Sequence, residues 1–381
     1  MKEICDHYQT IDTFDSLKKL ARTIEKEKTI GVDLEADSMY HFKEKVCLIQ
    51  MAAPGINAVI DPLMVRDLSP LKPIFKRRGV LKIFHGADYD VRSLYRDFDI
   101  AINNLFDTEL ASRFLGYSET GLEAVLKNKF DVALDKKFQR KDWSRRPLPQ
   151  DMISYAAQDA RYLLPLAQIL TSELEELGRL RWVQEECEYL SNVRPNTNNT
   201  DPLYMHFKGA GKLDPRSLVV LETLLQFRRR VAAKKDKPLF RIFGNRSLLE
   251  LADKKPADLK QLEKTRALST KQISMYGTGL ISAIQDAMQI EQENLPVYPR
   301  KKSPRVPLVV AGRVKALRIW RDEQVARLAL DPALICTKAL MSTIAQQKPH
   351  KVSDLSAINE MKNWQKKEFG QEIVKVLKQV R

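Results

Sequence analysis

The sequence predicts an α/β domain, with a mixed sheet and flanking helices, followed by two all-α domains. Strand and helix patterns alternate over about the first 190 residues, which is typical of an α/β domain. The polar segment 192–212 then loses the hydrophobic pattern and contains Pro and repeated Asn, as a linker does. Beyond it the apolar residues recur at helical spacing, and no convincing strand pattern follows.

The elements of the first domain follow from local periodicity. Strands are predicted at 29–35, 46–52, 58–61 and 80–84. Val91, Leu94 and Phe98 share one face, which predicts a helix over 88–98. Further helices are predicted at 108–115, at 122–129 and over most of 150–190, with a kink at Pro165.

The helical half contains two similar segments. Phe227-Arg228 in the first matches Trp320-Arg321 in the second, and Pro256 and Gly277 are spaced as Pro349 and Gly370 are. This repeat predicts a duplicated small helical domain. The predicted boundaries are 1–191 for the α/β domain, 192–212 for a linker, 213–292 and 308–381 for the helical domains, and 293–307 for a Pro-rich basic linker.

Composition favours a polyanionic partner. The 381 residues carry a formal net charge of +15, which indicates a nucleic-acid partner. The alternative is that these charges only keep the surface soluble. Cys5, Cys47, Cys187 and Cys336 lie far apart and form no disulfide framework or zinc motif, as expected in a reducing cytoplasm. The start lacks the apolar core of a signal peptide, and no run is long enough to span a membrane. The oligomeric state stays open, and a monomer is the simplest expectation.

Three acidic segments indicate a metal site. Asp33 and Glu35 are two apart on a strand, so both leave the same face. Asp90 lies in the first turn of the 88–98 helix, and Asp159 follows Tyr155 by one helical turn. Carboxylates beside apolar runs are costly unless a positive charge holds them. Four of them without nearby cations predict a divalent ion, and their hard oxygens suit Mg²⁺ or Mn²⁺.

Each acidic segment alone has a simpler explanation. Strand-end carboxylates such as Asp33 and Glu35 are often solvated, and Asp90 could merely stabilise the start of its helix. Tyr155 shares a helix face with Met152 and Tyr162, which is also what core packing would produce. The order and context of the three segments favour the functional interpretation.

At these positions the chain resembles the DEDD exonuclease superfamily, named for its four acidic ligands. Asp33-x-Glu35 corresponds to the first motif, His85-Gly86 followed by Asp90 to the second, and Tyr155-x-x-x-Asp159 to the third, in its tyrosine branch. More closely the chain resembles bacterial ribonuclease D. The resemblance covers about residues 1–190 and rests on the segments VDLEADSMYHFKEKVCLIQMA, FHGADYDVRSLYRDF, LFDTELASRFLG, GLEAVL and KKFQRKDWSRRPLPQDMISYAAQDARYLLPLA.

The resemblance implies a fold and an activity. The first domain is expected to be a ribonuclease H-like exonuclease domain, and the helical repeats are similar to HRDC domains, which bind nucleic acid. The second repeat matches less well, although LRIWRDEQVARLALDPALI is typical. The implied activity is a metal-dependent 3′→5′ exoribonuclease that acts on RNA 3′ ends, tRNA precursors among them.

The resemblance also assigns roles to the acids. Asp33, Glu35 and Asp159 would hold one of two divalent ions, and Asp33 would bridge to the second, with Asp90 acting there partly through water. Tyr155 would orient the attacking water, because an ordinary tyrosine pKa near 10 is too high for an efficient base at neutral pH. His85, before Gly86 at a strand end, is interpreted as structural.

A basic segment precedes the third motif. Its cations are Lys137, Arg140, Lys141, Arg145 and Arg146, and they interleave with Phe138 and Trp143. Cations suit phosphates and aromatics suit bases, so we predict substrate contact for the cations and core packing for Trp143. A solvated loop is the alternative. Further basic stripes lie at Arg228, Arg229, Arg230, Lys234, Lys235 and Lys237, and at Arg300, Lys301, Lys302 and Arg305.

Two other functions stay open on the sequence alone. A 3′→5′ DNA exonuclease would use the same four acids, since the choice of RNA depends on a contact to the 2′-hydroxyl. A non-catalytic nucleic-acid-binding scaffold would share the basic charge, but it would not need Tyr155 or the acids.

Overall fold

A six-stranded mixed sheet lies at the centre of the first domain. The computed structural model describes residues 7–133, 137–195, 200–299 and 307–380. The strands are β1 (Gln9–Ile11), β2 (Thr29–Ala36), β3 (Val46–Ala53), β4 (Ile56–Ile60), β5 (Leu81–Phe84) and β6 (Leu105–Asp107). Their order across the sheet is β1-β4-β3-β2-β5-β6. The predicted mixed sheet with flanking helices is therefore confirmed.

The central strands of the sheet include both parallel and antiparallel pairs. β2 pairs antiparallel with β3 and parallel with β5, which in turn pairs parallel with β6. β3 is buried along its whole length, as expected for a central strand covered on both faces. Since β2, β5 and β6 run parallel, the residues that follow each of them gather at one edge of the sheet.

Nine helices of the described chain accompany this sheet. They are α1 (Phe14–Ile24), α2 (Pro62–Val65), α3 (Lys72–Lys76), α4 (Asp88–Phe98), α5 (Thr108–Phe114), α6 (Leu122–Phe130), α7 (Gln150–Arg161), α8 (Leu163–Glu176) and α9 (Leu180–Ser191). A 3₁₀ turn occupies Ser69–Leu71. The predicted interruption of the helix at Pro165 is confirmed: the helix breaks at Tyr162 into α7 and α8, and Pro165 lies in the first turn of α8, where its missing N–H costs nothing.

The helical half divides between two compact units. One unit comprises 37–45 and 196–303, and the other comprises 1–36, 46–195 and 304–381. The first helical repeat contains α10 (Pro215–Lys235), α11 (Leu239–Ile242), α12 (Asn245–Lys254), α13 (Leu259–Thr265) and α14 (Thr270–Met288). Its core includes Tyr204, from the end of the predicted linker, and Phe42, from the β2–β3 connection.

The second helical repeat shares a hydrophobic core with the sheet domain. It contains α15 (Leu308–Leu328), α16 (Pro332–Ile335), α17 (Lys338–Gln347) and α18 (Asn363–Gln379). Trp364 stacks on Trp182 of α9, with ring centroids 4.7 Å apart, and meets Phe114 of α5 edge-on. Glu185 of α9 accepts hydrogen bonds from the backbone N–H groups of Asn363 and Trp364, so it caps α18.

The two repeats have matching architecture despite these different surroundings. α10 and α15 both have 21 residues, and α12 and α17 both have 10. Phe227 and Trp320 occupy the same position in their helices. No single helix among the described residues has the length and apolarity to cross a membrane; one strongly bent pair, α15 with the segment Pro332–Gln347, passes that test jointly, by composition alone.

Candidate active site

Strand β2 presents the first two acids. Asp33 lies opposite Gln50 of β3, and Glu35 lies opposite Leu48, with a register shift directly after Glu35. The period of two places both carboxylates on one face, while Leu34 between them is buried in the core. The predicted pairing of Asp33 and Glu35 on one face of a strand is confirmed.

Strand β5 and the turn after it present Asp90. The chain leaves β5 at Phe84, passes through a turn with Gly86 at φ +75°, and enters α4 at Asp88. Only glycine adopts that backbone without strain, and a side chain there would also lie 2.7 Å from Glu109 Oε2. Asp90 is 7% exposed in the first turn of α4.

Helix α7 brings Tyr155 and Asp159 to the same edge. Asn57 of β4 donates a 3.0 Å hydrogen bond to the Ala157 carbonyl and so ties the helix to the sheet. The end of α7 also packs closely on β2, because a Cβ at Gly31 would lie 2.9 Å from the Ala160 carbonyl oxygen. Gly31, two residues before Asp33, therefore allows the approach that brings Asp159 near that carboxylate.

Electrostatics shows that the four carboxylates share one region. Burial raises the pKa of Asp33 to about 6. Burial and the charge of Asp33 raise the pKa of Asp159 to about 8. Burial raises the pKa of Glu35 well above its usual range, and so do the charges of Asp33, Asp159 and Asp90. The pKa of Asp90 is raised in the same way, by burial and then by Asp33 and Asp107.

This arrangement fits a bound divalent cation. None of the described Lys, Arg or His residues offsets the raised pKa values of the four acids. Carboxylates buried together without positive charge are expensive, and a cation relieves both the burial cost and the repulsion. Within the described residues no three His, Cys, Asp or Glu side chains already meet the spacing of a ligand shell. The four acids are thus linked here by the interaction of their charges.

Tyr155 is both packed and placed at a cavity. Its ring meets Phe138 edge-on at 5.6 Å and Trp143 at 6.2 Å, and it is 8% exposed. Tyr155 and Asp159 also line a cavity of about 570 Å³. The predicted core packing of Trp143 is confirmed, since its side chain is completely buried. Packing fixes the ring of Tyr155 and therefore restricts where its hydroxyl can lie.

The basic segment borders this site, but one of its predicted contacts is wrong. Arg146 pairs with Asp61 through Nε–Oδ2 at 2.5 Å and Nη2–Oδ1 at 2.8 Å. Its other donors bind the carbonyl groups of Cys47, Trp143 and Arg145. Because the guanidinium donors bind groups of the protein itself, Arg146 is a structural residue and not a substrate contact.

The remaining cations of the segment are exposed. Lys137, Arg140, Lys141 and Arg145 all face solvent, which leaves the prediction of substrate contact standing for them. Lys137 Nζ lies 4.9 Å from the ring centroid of Phe138, and Arg145 Nε lies 3.2 Å from Asp142 Oδ2. Because Phe138 and Trp143 both contact Tyr155, these cations stand beside the catalytic candidates.

His85 has the structural surroundings that the sequence suggested. Its Nδ1 lies 2.9 Å from the hydroxyl of Thr108, which itself donates to the carbonyl of Phe84. Burial lowers the pKa of His85 below its ordinary value. His85 directly follows β5, and its hydrogen bond to Thr108 ties the end of that strand to the start of α5.

Three further residues were not identified from sequence. Lys127 and Gln139 line the same cavity as Tyr155 and Asp159. Asp107 holds the turn before α4, as described below. Gln139 lies within the basic segment and Asp107 within LFDTELASRFLG, so position in a motif was an available signal. Lys127 looks like any solvated residue of a helix, so nothing in the local sequence indicates that it lines a cavity.

The stripes of the helical half need one correction. Arg228 is 6% exposed and donates to the Phe243 carbonyl at 3.1 Å and to Asn245 Oδ1 at 2.8 Å, so it braces the domain. Arg229, Arg230, Lys234, Lys235 and Lys237 are exposed, and Lys235 Nζ lies 3.0 Å from the Tyr276 hydroxyl. The stripe of Arg300, Lys301, Lys302 and Arg305 lies outside the described residues.

Comparison with protein families agrees with this architecture. A family model described as 3′-5′ exonuclease matches residues 8–175, and a model described as HRDC domain matches residues 217–284 and 310–377. The first match contains all four acids and Tyr155, and the second matches both helical repeats.

Individual relatives cover nearly the whole chain. A ribonuclease D from Desulfotalea psychrophila is 30% identical over 339 residues, which are 88% of this chain and 90% of that protein. One from Granulibacter bethesdensis is 28% identical, over 94% of this chain and 89% of that protein.

Solved structures show the same fold. The exoribonuclease RNase D of Escherichia coli superposes with a TM-score of 0.74, at 24% identity, over 98% of this chain and 99% of that one. The catalytic core of RRP6 from Trypanosoma brucei gives TM-scores of 0.65 and 0.64 in two crystal structures, at 29% identity, over 74% to 76% of this chain and 80% to 83% of that core.

Proposed function

We propose a substrate and a mechanism for this protein from one premise: the chain belongs to the ribonuclease D family. It is a 3′→5′ exoribonuclease that depends on divalent metal. We propose that it shortens single-stranded RNA 3′ ends, those of tRNA precursors among them, and releases 5′-monophosphates. The observation that carries the site assignment is the group of four buried or half-buried, mutually repelling carboxylates beside the cavity of Tyr155.

Asp33, Glu35, Asp90 and Asp159 would hold two divalent ions, Mg²⁺ or Mn²⁺. Their carboxylate oxygens are the hard ligands that these ions prefer, and four negative charges balance two such ions. When bound, the ions stabilise the charge that develops on the phosphate and acidify the attacking water. The role of the protein is to keep the four acids together at an edge of the sheet, at the cost of their repulsion.

Tyr155 would orient the water that attacks the terminal phosphodiester. It lines the cavity together with Asp159, and Phe138 and Trp143 fix its ring. A fixed hydroxyl can hold the water in the direction of attack without the entropy cost of a mobile side chain.

The exposed cations next to this cavity would bind the backbone of the RNA. Lys137, Arg140, Lys141 and Arg145 lie in the segment whose aromatic residues contact Tyr155, and Lys127 lines the cavity itself. Contacts to phosphates position a strand without reading its sequence, which suits an enzyme that removes successive nucleotides. We assign the protein to a reducing compartment such as the cytoplasm, in which buried thiols such as those of Cys187 and Cys336 stay reduced.

The proposal is tested with three substrates of matched sequence. A 3′-extended tRNA precursor, a single-stranded RNA and a single-stranded DNA, each labelled at the 5′ end, are incubated with Mg²⁺, Mn²⁺ or EDTA. We expect products that shorten stepwise from the 3′ end, faster on both RNAs than on DNA, and no cleavage in EDTA.

Each alternative gives a different pattern in the same experiment. Equal or faster cleavage of the DNA would identify a DNA exonuclease. Binding of all three substrates without metal-dependent cleavage would identify a scaffold. Cleavage of the single-stranded RNA but not of the tRNA extension would retain the activity and remove the proposed substrate.

A further inference from the structure

Asp107 connects two elements that meet behind the candidate metal site. It precedes α5 and is 2% exposed. Its Oδ1 accepts hydrogen bonds from the N–H groups of Glu109 (2.8 Å) and Leu110 (3.1 Å), which caps α5. The same oxygen also accepts from Gly86 N–H at 3.0 Å, and Oδ2 accepts from Ala87 N–H at 2.8 Å.

Those two N–H groups belong to the turn that presents Asp90. Gly86 has φ +75°, and Ala87 is the N-cap residue directly before α4. The Ala87 carbonyl accepts the N–H of Val91 at 2.9 Å, in the turn of helix that contains Asp90. Ala87 lacks a capping side chain of its own, and its N–H is bound by Asp107. The direction in which α4 starts is thus fixed from α5.

Thr108 attaches the same turn at a second point. Its hydroxyl donates to the Phe84 carbonyl at 2.9 Å and lies 2.9 Å from His85 Nδ1. Asp107 itself is held in place from behind, since its backbone N–H lies 3.3 Å from the sulfur of Cys187 in α9. Four successive residues, 84–87, are therefore attached to the pair Asp107-Thr108.

We propose that Asp107 is a positioning residue for metal binding, because it fixes the 84–87 turn and thereby the place of the Asp90 carboxylate. The inference depends on the proposed function, in which Asp90 is a metal ligand. Residues that orient metal ligands through hydrogen bonds change metal affinity or activity by about 10–100-fold when they are replaced. Asp107 acts through Asp90 and contacts neither the metal nor the RNA in this account.

Oδ1 of Asp107 binds both the start of α5 and Gly86 of the turn, whereas Oδ2 binds only Ala87 of the turn, and the variants use this difference. In Asp107→Asn the remaining oxygen can still accept hydrogen bonds from the N–H groups of Gly86, Glu109 and Leu110. The new NH₂ group would face the Ala87 N–H, and two donors cannot form a hydrogen bond with each other. Asp107→Ser keeps a good helix cap, but its side chain is too short to reach the turn as well. Both variants should keep α5 and loosen the turn.

The test measures Mn²⁺ binding without RNA, by the loss of the electron paramagnetic resonance signal of free Mn²⁺. We expect Asp107→Asn and Asp107→Ser to weaken Mn²⁺ binding by about 10–100-fold. The affinity for RNA measured in EDTA should not change. Asp258→Asn is the matched control, because Asp258 caps α13 through Gln261 N–H and should leave Mn²⁺ binding unchanged.

A double-mutant cycle separates positioning from the mere loss of a negative charge. If Asp107 acts through Asp90, Asp107→Asn should change nothing further in an Asp90→Asn background. An equal loss in both backgrounds, or wild-type Mn²⁺ affinity in both Asp107 variants, would overturn the inference while the proposed function stands. A wild-type protein that binds no Mn²⁺ would overturn the proposed function itself.

Discussion

Tyr155 illustrates how one residue can satisfy two interpretations at once. Its ring packs against Phe138 and Trp143, as a core residue would, and it also lines the cavity of Asp159. The sequence presented these as competing explanations for one helical position. In the structure the packing supports the function, because a hydroxyl on a fixed ring has a defined position.

Tyr155→Phe separates the two contributions. The substitution retains the ring contacts and removes only the hydroxyl, so the fold and RNA binding should persist. We expect kcat to fall by about 10²-fold with little change in KM, as for a group that acts in the transition state. Steady-state kinetics on a short RNA measures both constants, and an unchanged kcat would leave Tyr155 with packing alone.

The acids themselves predict a pH dependence of stability in the absence of metal. Folding raises the pKa of Asp33 to about 6 and that of Asp159 to about 8, from reference values near 3.9. Between the unfolded pKa near 3.9 and the folded values of about 6 and about 8, the folded protein binds more protons than the unfolded chain, so its stability falls as pH rises. We expect the Tm in EDTA to decrease from pH 5 to pH 8 and Mn²⁺ to restore it at pH 8.

Asp159→Asn supplies the control for that measurement. It removes one of the repelling charges, so the Tm in EDTA should depend less on pH than in the wild-type protein, and Mn²⁺ should stabilise it less. A wild-type Tm in EDTA that rises steadily over this pH range, with no response to Mn²⁺, would contradict the shared carboxylate site.

Among single residues, the sequence could locate the acids but not the partners of the cations. Asp33 and Glu35 follow from the period of two, and Asp90 from a helix predicted over 88–98 and found there. Arg146 looked like its basic neighbours, because Asp61, its partner, is 85 positions away in the chain. The role of Gly31 likewise depends on Ala160, which local sequence does not bring near.

At the scale of elements, the segment before α7 combines exposed cations, which we propose to contact RNA, with one structural cation. Arg146 closes it onto Asp61 next to β4, while Lys141 and its neighbours face solvent. Local patterns predicted most of the surrounding helices and strands, since these depend on neighbours along the chain. The short strands β1 and β6, with three residues each, were missed because so few residues establish no periodicity.

Lys141→Gln and Arg146→Gln should therefore fail in different ways. Lys141→Gln should weaken RNA binding and reduce the slope of log K against log salt by roughly 0.7, the value for one phosphate contact in a single strand. Arg146→Gln leaves the buried Asp61 unpaired, which should lower the free energy of unfolding by about 3 kcal/mol. Gel-shift titrations at several salt concentrations and urea unfolding measure the two effects.

The two variants should change different quantities, Lys141→Gln the salt slope of RNA binding and Arg146→Gln the free energy of unfolding. If Arg146→Gln left stability unchanged and lowered the salt slope, Arg146 would return to the substrate contacts. If Lys141→Gln lowered stability without changing the slope, the solvated-loop alternative would be favoured for this part of the segment.

At the scale of the whole molecule, the two helical repeats have different surroundings. The sequence predicted a duplication, but it could not predict that the second repeat shares a core with the sheet domain. That core depends on pairs such as Trp182 with Trp364 and Glu185 with the start of α18, which are far apart in the chain. A chain ending near Glu188 would keep the four acids and Tyr155 but would expose Trp182 and Phe114, which Trp364 covers.

Trp364→Ala tests whether the second repeat supports the nuclease. Trp364 stacks on Trp182, contacts Phe114 and donates from Nε1 to Glu186 at 2.9 Å. Its removal should lower the free energy of unfolding by about 3–5 kcal/mol, as for large buried aromatic residues. Urea unfolding followed by far-UV circular dichroism measures this change, with Phe240→Ala, an exposed aromatic of the first repeat, as the control. Equal stability of the two variants would make the shared core energetically unimportant.

We propose that four carboxylates, linked by charge through Asp33, hold the metal on which the exoribonuclease activity depends. The most direct test is the rate at which Asp33→Asn removes 3′ nucleotides from single-stranded RNA, at saturating RNA and Mn²⁺. Orienting residues cost about 10–100-fold when replaced, so loss of a bridging ligand should cost more than about 100-fold, with RNA affinity largely retained. Turnover within about tenfold of the wild-type rate would exclude Asp33 from the metal site and contradict the account.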